Sequence, residues 1–169
     1  MPAANRAPRR LFNALGALAC LLLLGYAGYA QFVLGLEPCP LCIFQRVGIA
    51  ATGVLFLLAA LHNPRGWGAR VYGTLQLVAL LATIGVAVRH LWIQHLPEGA
   101  VPACGASLNY LLQVFPLTDV IRKVLTGSGE CAKVTWRFLG LSMPAWVLID
   151  ALALGVWAFF ANLRPQPRA

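Results

Sequence analysis

The sequence is poor in charge. Only 11% of its 169 residues are Asp, Glu, Lys or Arg, well under half the share usual in a soluble domain. No charged residue occurs between Leu11 and Leu36. This scarcity, with 60% hydrophobic residues spread over several long runs, excludes a soluble globular fold and points to a multi-span membrane protein. Internal repeats and low-complexity segments are also absent. So is any alternation of strand and helix patterns, which excludes a thioredoxin fold around the cysteines. The formal net charge is +8, but the cations are scattered and mostly flank apolar runs. That is the pattern of membrane-side anchoring and not of nucleic-acid binding.

The expected architecture is an all-α membrane protein, a single domain over residues 1–169 with a four-helix transmembrane bundle. The spans are expected at about 11–32, 42–61, 71–90 and 144–163, with external loops at 33–41 and 91–143. A helix needs about 20 residues to cross the bilayer, and the first apolar run exceeds the roughly 7–15 residues of a signal-peptide core. It is therefore read as an uncleaved span, although Gly28-Tyr29-Ala30 weakly resembles a cleavage site. A lipoprotein site at Cys20 is poorer still, because the apolar stretch before it is too short. Arg89, at the end of the third span, is expected to reach toward the headgroups. The tail before the first span, the 62–70 loop and the tail after the fourth span hold seven of the thirteen Lys and Arg. All three lie on one side, which the positive-inside rule makes cytoplasmic. Both cysteine-bearing loops are then outside, where disulfides persist. Within the second loop, residues 108–125 are too apolar for a free loop and are broken by Pro116. They suit one or two short helices, either on the bilayer surface or in an external lid.

The densest local signal is Glu37-Pro38-Cys39-Pro40-Leu41-Cys42-Ile43-Phe44-Gln45-Arg46. Pro38 and Pro40 forbid helix before Cys39, and Pro40 suits the first position of a helix that starts there. Cys42 and Arg46 then lie on one face, one above the other. A thiol at a helix N-terminus with a cation one turn below has two reasons to ionise. Haem attachment is excluded because Ile43, not His, follows the pair. Structural zinc needs four ligands, and the second pair, Cys104 and Cys131, does not have knuckle spacing, so no metal is expected. A redox dithiol at the lip of the membrane remains.

Cys104 and Cys131 sit in the long outer loop. A bridge between them would be a staple worth roughly 3 kcal/mol, or, given the glycines beside both, an exchangeable disulfide that relays to the dithiol. Cys20 is a small apolar packing residue. Arg46 lies within the first turns of a span, where a cation is costly unless it reaches water or a partner. It either reaches the headgroups or stabilises negative charge near Cys42. A dithiol does not store electrons indefinitely, and a quinone dissolved in the bilayer is the natural oxidant. Its carbonyl gains negative charge on reduction, which a guanidinium would stabilise. His90 and His95 lie at the outer end of the third span, each a candidate donor to a quinone carbonyl or a headgroup-level residue. Asp150, about two turns inside the fourth span, is a proton handler or a protonated bystander.

These residues together resemble the DsbB family, the quinone-linked disulfide oxidants of the bacterial inner membrane. The likeness rests on Cys39-Pro-Leu-Cys42-Ile-Phe-Gln-Arg46, on Cys104, on Gly129-Glu130-Cys131 and on the run from Trp136 to Trp146, and it covers nearly the whole chain. The resemblance implies a protein-dithiol:quinone oxidoreductase that reoxidises a periplasmic thioredoxin-like partner of the DsbA type. It makes Cys39, Cys42, Cys104 and Cys131 catalytic and sets Arg46 and one histidine at the quinone, of ubiquinone or menaquinone type. Two histidines compete for that place here, and His90, still on the helix, is favoured. It further implies a multi-pass inner-membrane protein with both termini cytoplasmic and the redox loops periplasmic. A vitamin K epoxide reductase-like protein fits the loop layout and cysteine spacing less well. A scaffold braced by inert external disulfides is the alternative of a different class.

Overall fold

The computed structural model describes residues 6–97, 110, 113–127 and 129–163; Cys104 lies outside the described residues. Four long helices dominate: α1 (Arg6–Phe32), α2 (Pro40–His62), α3 (Trp67–Gln94) and, after the short helices α4 (Leu117–Thr126) and α5 (Gly129–Ala132), α6 (Met143–Ala158). A π-helical turn, Phe159–Leu163, continues α6. All four, α6 taken together with its π-helical turn, are long and apolar enough to cross a membrane, and large apolar side chains such as Leu21, Leu22, Val78 and Leu81 are exposed around the bundle. In water such a surface would be a liability; facing lipid, it is the expected exterior.

The helix ends follow local chemistry. Pro40 is the first residue of α2, as the Pro-Cys-Pro pattern predicts. The helix stops at Asn63, which adopts the left-handed conformation at φ 44° and returns its N–H to the Ala59 carbonyl. Asn tolerates that region, and Pro64 cannot continue the helix. Helix α3 is longer than the predicted 71–90, beginning after Gly66 and running to Gln94. Pro116 breaks the outer segment and caps α4, as its position in the apolar run suggests. One element departs from an all-helical chain: residues 137–142 form a tight hairpin of strands β1 (Arg137–Phe138) and β2 (Leu141–Ser142). Its two turn residues, Leu139 and Gly140, both have positive φ, the geometry that matches the twist of a two-residue hairpin.

The helices approach closely at small residues, the usual means of packing where lipid gives no hydrophobic drive. A Cβ on Gly53 of α2 would come within 2.9 Å of Cys20 on α1, and one on Gly48 would run into the Thr83 hydroxyl of α3. Cys20 thus packs as a small apolar residue, in a core with Ile49, Phe56, Leu80 and Leu154. Buried Thr52 and Thr83 return their hydroxyls to carbonyls of their own helices. At the end of the bundle away from the cysteines, the Asn13 and Asn162 amides donate to each other at 3.1 and 2.8 Å. Asn162 also donates to the Gln76 side-chain oxygen, and Arg9 donates to the Ala161 and Pro64 carbonyls. This polar clasp ties α1, the α2–α3 turn, α3 and the chain after α6 together. The dithiol lies at the opposite end.

Filling the Gly48 crossing is expected to destabilise the bundle. Gly48→Val should cost about 1–3 kcal/mol by overpacking, read as a lower unfolding midpoint of the purified protein in detergent. A midpoint unchanged from the parent would mean that α2 and α3 do not cross there.

Candidate active site

Cys39 sits just before α2 in extended conformation (φ −67°, ψ 163°), and its sulfur accepts from the Cys42 backbone N–H at 3.3 Å. The sulfur thereby satisfies one of the orphan donors of the first turn. The two Sγ atoms are 2.9 Å apart, so the pair is placed to close and open a disulfide with little movement. Cys39 is buried and Cys42 half-buried.

His90 comes to this pair from α3. Its ring is 2% exposed, with Nε2 3.7 Å from the Cys39 sulfur and 3.2 Å from the Cys131 carbonyl oxygen. On its other side Nδ1 lies 3.3 Å from the Gln45 amide nitrogen. Both contacts are met by one tautomer, in which Gln45 donates to Nδ1 and the protonated Nε2 donates to the carbonyl. His95 is exposed, and its Nδ1 donates to the Leu91 carbonyl. Of the two competing histidines, the structure therefore brings His90, and not His95, to the cysteines. The Cys39, Cys42 and His90 ligand atoms all lie within 4.8 Å of one another, a set that spacing along the chain gave no reason to assemble.

The outer segment is docked on the same place. Cys131 is buried in one cluster with Cys39, Leu41, Ile93, Val120 and Val124. Helix α4 contributes Val120 and Val124 to this cluster, so one face of the short helix packs against the ends of α2 and α3. Arg89, expected to reach outward at the span end, is engaged by the outer segment. Its guanidinium donates to the Leu125 and Thr126 carbonyls at 2.9 and 3.3 Å. The reason is physical: the last carbonyls of α4 lack intrahelical partners, and a cation at a helix C-terminus satisfies them and its dipole.

Arg46, four residues beyond Cys42, turns toward α1. It donates to the Gln31 side-chain oxygen and, at 3.0 Å, to the Ala27 carbonyl. Two cavities meet at Cys42 and Arg46. The outer one, about 310 Å³, is also lined by Cys39, His90, Glu37, Glu130 and Lys133. The deeper one, about 370 Å³, is walled by Leu23, Leu24, Ile49, Val147 and a group of aromatic rings, with Asp150 at its edge. The Trp136 and Phe138 rings stack at 6.1 Å, Tyr26 meets Trp136 edge-on at 6.2 Å, and the Trp146 indole donates to the Phe138 carbonyl. The 137–142 hairpin thus builds one wall of the deeper cavity. A further apolar pocket between α1 and α6 shares Leu23 and Asp150 with it. His90 lines the outer cavity and not the deeper one.

Gln45, Gln31 and the aromatic wall escaped the sequence reading. Gln45 carried one usable signal, a polar residue one turn beyond a cysteine on a membrane helix. The others become visible only through contacts between distant segments.

A family model described as disulfide bond formation protein DsbB matches residues 9–161. The chain is 55% identical over 142 residues to a disulfide bond formation protein B of Nitrosococcus oceani, covering 84% of each chain. It is 51% identical over 146 residues to the protein of that name from Chromobacterium violaceum, covering 86% of this chain and 88% of the relative. With that of Xanthomonas campestris pv. campestris it shares 49% over 151 residues, 89% and 88% of the two chains.

Arg89→Ala should loosen α4. Losing the two carbonyl contacts at an exposed position is expected to weaken the docking by roughly 0.5–1.5 kcal/mol. Amide hydrogen exchange over 118–126 should then quicken while that of α2 stays slow. Unchanged exchange in α4 would remove Arg89 from its attachment.

Proposed function

The chain belongs to the DsbB family, and from that premise we propose that it is a protein-dithiol:quinone oxidoreductase. It would reoxidise a thioredoxin-like thiol oxidase of the DsbA type and so support disulfide bond formation. In this reading it is a multi-pass protein of the bacterial inner membrane, with its termini cytoplasmic and its cysteine-bearing loops periplasmic.

The observation that carries the reading is the position of Cys42, which lines both cavities. On one side stand Cys39 and the docked Cys131, the polar approach for thiol–disulfide exchange. On the other is an apolar, aromatic-walled space whose lining cation is Arg46. The deeper cavity fits a quinone by its donor set: flat rings to flank a ring, a guanidinium for a carbonyl and a sulfur as neighbour. The pocket shared by Leu23 and Asp150 continues toward the lipid and suits an isoprenoid tail.

A bound quinone supplies an acceptor for two electrons and two protons. The remaining steps belong to the chain. A partner thiolate attacks Cys104, forming a mixed disulfide and breaking a Cys104–Cys131 bond. The freed Cys131 attacks Cys39, breaking the Cys39–Cys42 bond and releasing Cys42 as a thiolate beside Arg46. Each exchange needs an accessible sulfur and a good leaving thiolate. The Cys42 thiolate gives up the electron pair, with Arg46 holding negative charge that develops in the cavity. The partner's second thiolate displaces Cys104 from the mixed disulfide, and the partner leaves as a disulfide. Cys104 rejoins Cys131 and so releases Cys39, which closes on the oxidised Cys42. Two electrons and two protons pass from partner to acceptor, and both disulfides are restored. His90 would hold the Cys131 backbone over Cys39 during the exchange between loops.

Two variants of the purified protein test this. Cys104→Ser should abolish quinone reduction driven by a reduced DsbA-type partner. Arg46→Gln should raise the apparent KM for quinone about tenfold or more, equivalent to about 1.4 kcal/mol, while still forming the mixed disulfide through Cys104. Quinone reduction surviving Cys104→Ser, or an unchanged quinone KM in Arg46→Gln, would overturn the respective assignment.

A further inference from the structure

The residues that carry the exchange chemistry also form a three-ligand set of another kind. We propose that the reduced protein binds one soft divalent cation, of the Zn²⁺ or Cd²⁺ type, between Cys39 Sγ, Cys42 Sγ and His90 Nε2, and that the bound ion withholds both thiols from reaction.

The three ligand atoms fall within 4.8 Å of one another, with Cys39 Sγ 3.7 Å from Nε2. Two thiolates and an imidazole are the donors that such ions prefer, at about 2.3 Å for sulfur and 2.0–2.1 Å for nitrogen. Drawing the atoms onto one ion requires the two sulfurs, now 2.9 Å apart, to spread, which the reduced pair is free to do. Cys39 precedes the helix and Cys42 lies in its first turn, so the sulfurs come from a rigid helix end. His90 is held from behind by Gln45 at 3.3 Å. Metal-bound histidines nearly always have their second nitrogen so held. For Nε2 to offer its lone pair the proton must sit on Nδ1. Gln45 accommodates this by turning its amide so that its oxygen accepts the bond, since a Gln side chain carries both a donor and an acceptor. Three protein ligands leave a fourth tetrahedral position, open to the outer cavity of about 310 Å³. Glu37 and Glu130 line that same cavity together with Arg46 and Lys133, so its formal charges balance and do not oppose an arriving cation.

No electron moves in this binding. The two thiols lose their protons to solvent, and each sulfur and the imidazole nitrogen donate a lone pair to the ion. The disulfide form offers neither thiolate, so the ion binds the reduced state alone and draws the equilibrium toward it. The site lies on the residues of the proposed exchange but does not depend on quinone being the acceptor.

The binding test uses the full-length protein with Cys20, Cys104 and Cys131 changed to Ser, reduced with a phosphine and titrated with Cd²⁺. A cadmium–thiolate absorbance saturating at one ion per chain is expected, together with a ¹¹³Cd–¹⁵N coupling to a histidine ring nitrogen. Cys39→Ser should abolish the absorbance, His90→Ala should weaken binding at least tenfold, and Gln45→Leu should weaken it about tenfold. Binding that persists in Cys39→Ser, or an affinity in His90→Ala within twofold of the parent, would overturn the site and leave at most a bare dithiol chelate. Should His90→Ala not fold, the nitrogen coupling in the parent decides, and its absence overturns the proposal. In the fully reduced unmodified protein, saturating Zn²⁺ should slow maleimide labelling of Cys39 and Cys42 at least tenfold, and a chelator should restore it. Unslowed labelling would overturn the withholding of the thiols. Neither readout uses a quinone or a partner protein, so failure here and failure of the oxidoreductase reading are distinguishable.

Discussion

The arrangement depends on α2 beginning at Pro40 and no earlier. Because Cys39 stays extended, its sulfur folds back over the first turn to accept from the Cys42 N–H and at the same time faces His90 on α3. Inside a helix, Cys39 would lie one turn below a preceding residue, and its side chain would follow the α2 surface. The Pro-Cys-Pro sequence prevents that. From the same start, Cys42 and Arg46 fall on the face toward α1 and the deeper cavity, while Gln45, only 3% exposed, turns inward to His90. One helix start therefore sorts four side chains of the candidate site into two environments.

The second constraint is the absence of water in the apolar layer, where every polar group needs a protein partner. Apart from the buried Gln76 Nε2, which has no hydrogen-bond partner among the described residues, the bundle meets it by separating its polar groups toward its ends. Threonines in the middle return their hydroxyls to their own helices, and the asparagine clasp with Arg9 closes one end. The opposite end carries the dithiol, His90 and Arg46, each bonded to another segment. Small residues at the crossings let α1, α2 and α3 come close enough for those bonds. A polar clasp at one end and the candidate site at the other follow from the same rule. The outer segment is then fixed to the open end by Arg89 and His90, adjacent residues of α3 that hold carbonyls of α4 and α5 respectively.

The four spans were legible in the sequence because each is an uninterrupted apolar run of sufficient length, and the start of α2 was legible because proline has few options. Cys20 as a packing residue followed from its place in the middle of a run. What the sequence hid depends on distant segments meeting. The partners of Arg89 were hidden because nothing in its own neighbourhood reveals the unpaired carbonyls of a helix 36 residues away. The choice between His90 and His95 is a matter of helical phase: five residues of rotation put one ring among the cysteines and the other in the open. The hairpin at 137–142 was missed because two-residue strands carry no periodicity, and Leu139 is an unusual residue at positive φ. Without that hairpin, Trp136 and Phe138 have no reason to be read as the wall of a cavity.

Cys39, Cys42 and His90 support two chemistries for one reason. Thiol exchange uses two sulfurs close enough to join, and here an imidazole stands beside them. A soft cation would use the same three donors with the sulfurs spread to about 3.8 Å, as tetrahedral bonds of about 2.3 Å demand. The two uses are distinguished by redox state, since the disulfide removes both thiolates at once and with them the cation's ligands. The outer segment bearing Cys131 adds a second distinction. Its carbonyl already occupies the His90 Nε2 proton, so a cation taking that nitrogen must release the carbonyl. The contact that holds Cys131 over Cys39 and the lone pair that would bind a metal belong to the same atom. Occupancy by the ion would therefore both mask the dithiol and loosen the segment that delivers the next sulfur to it.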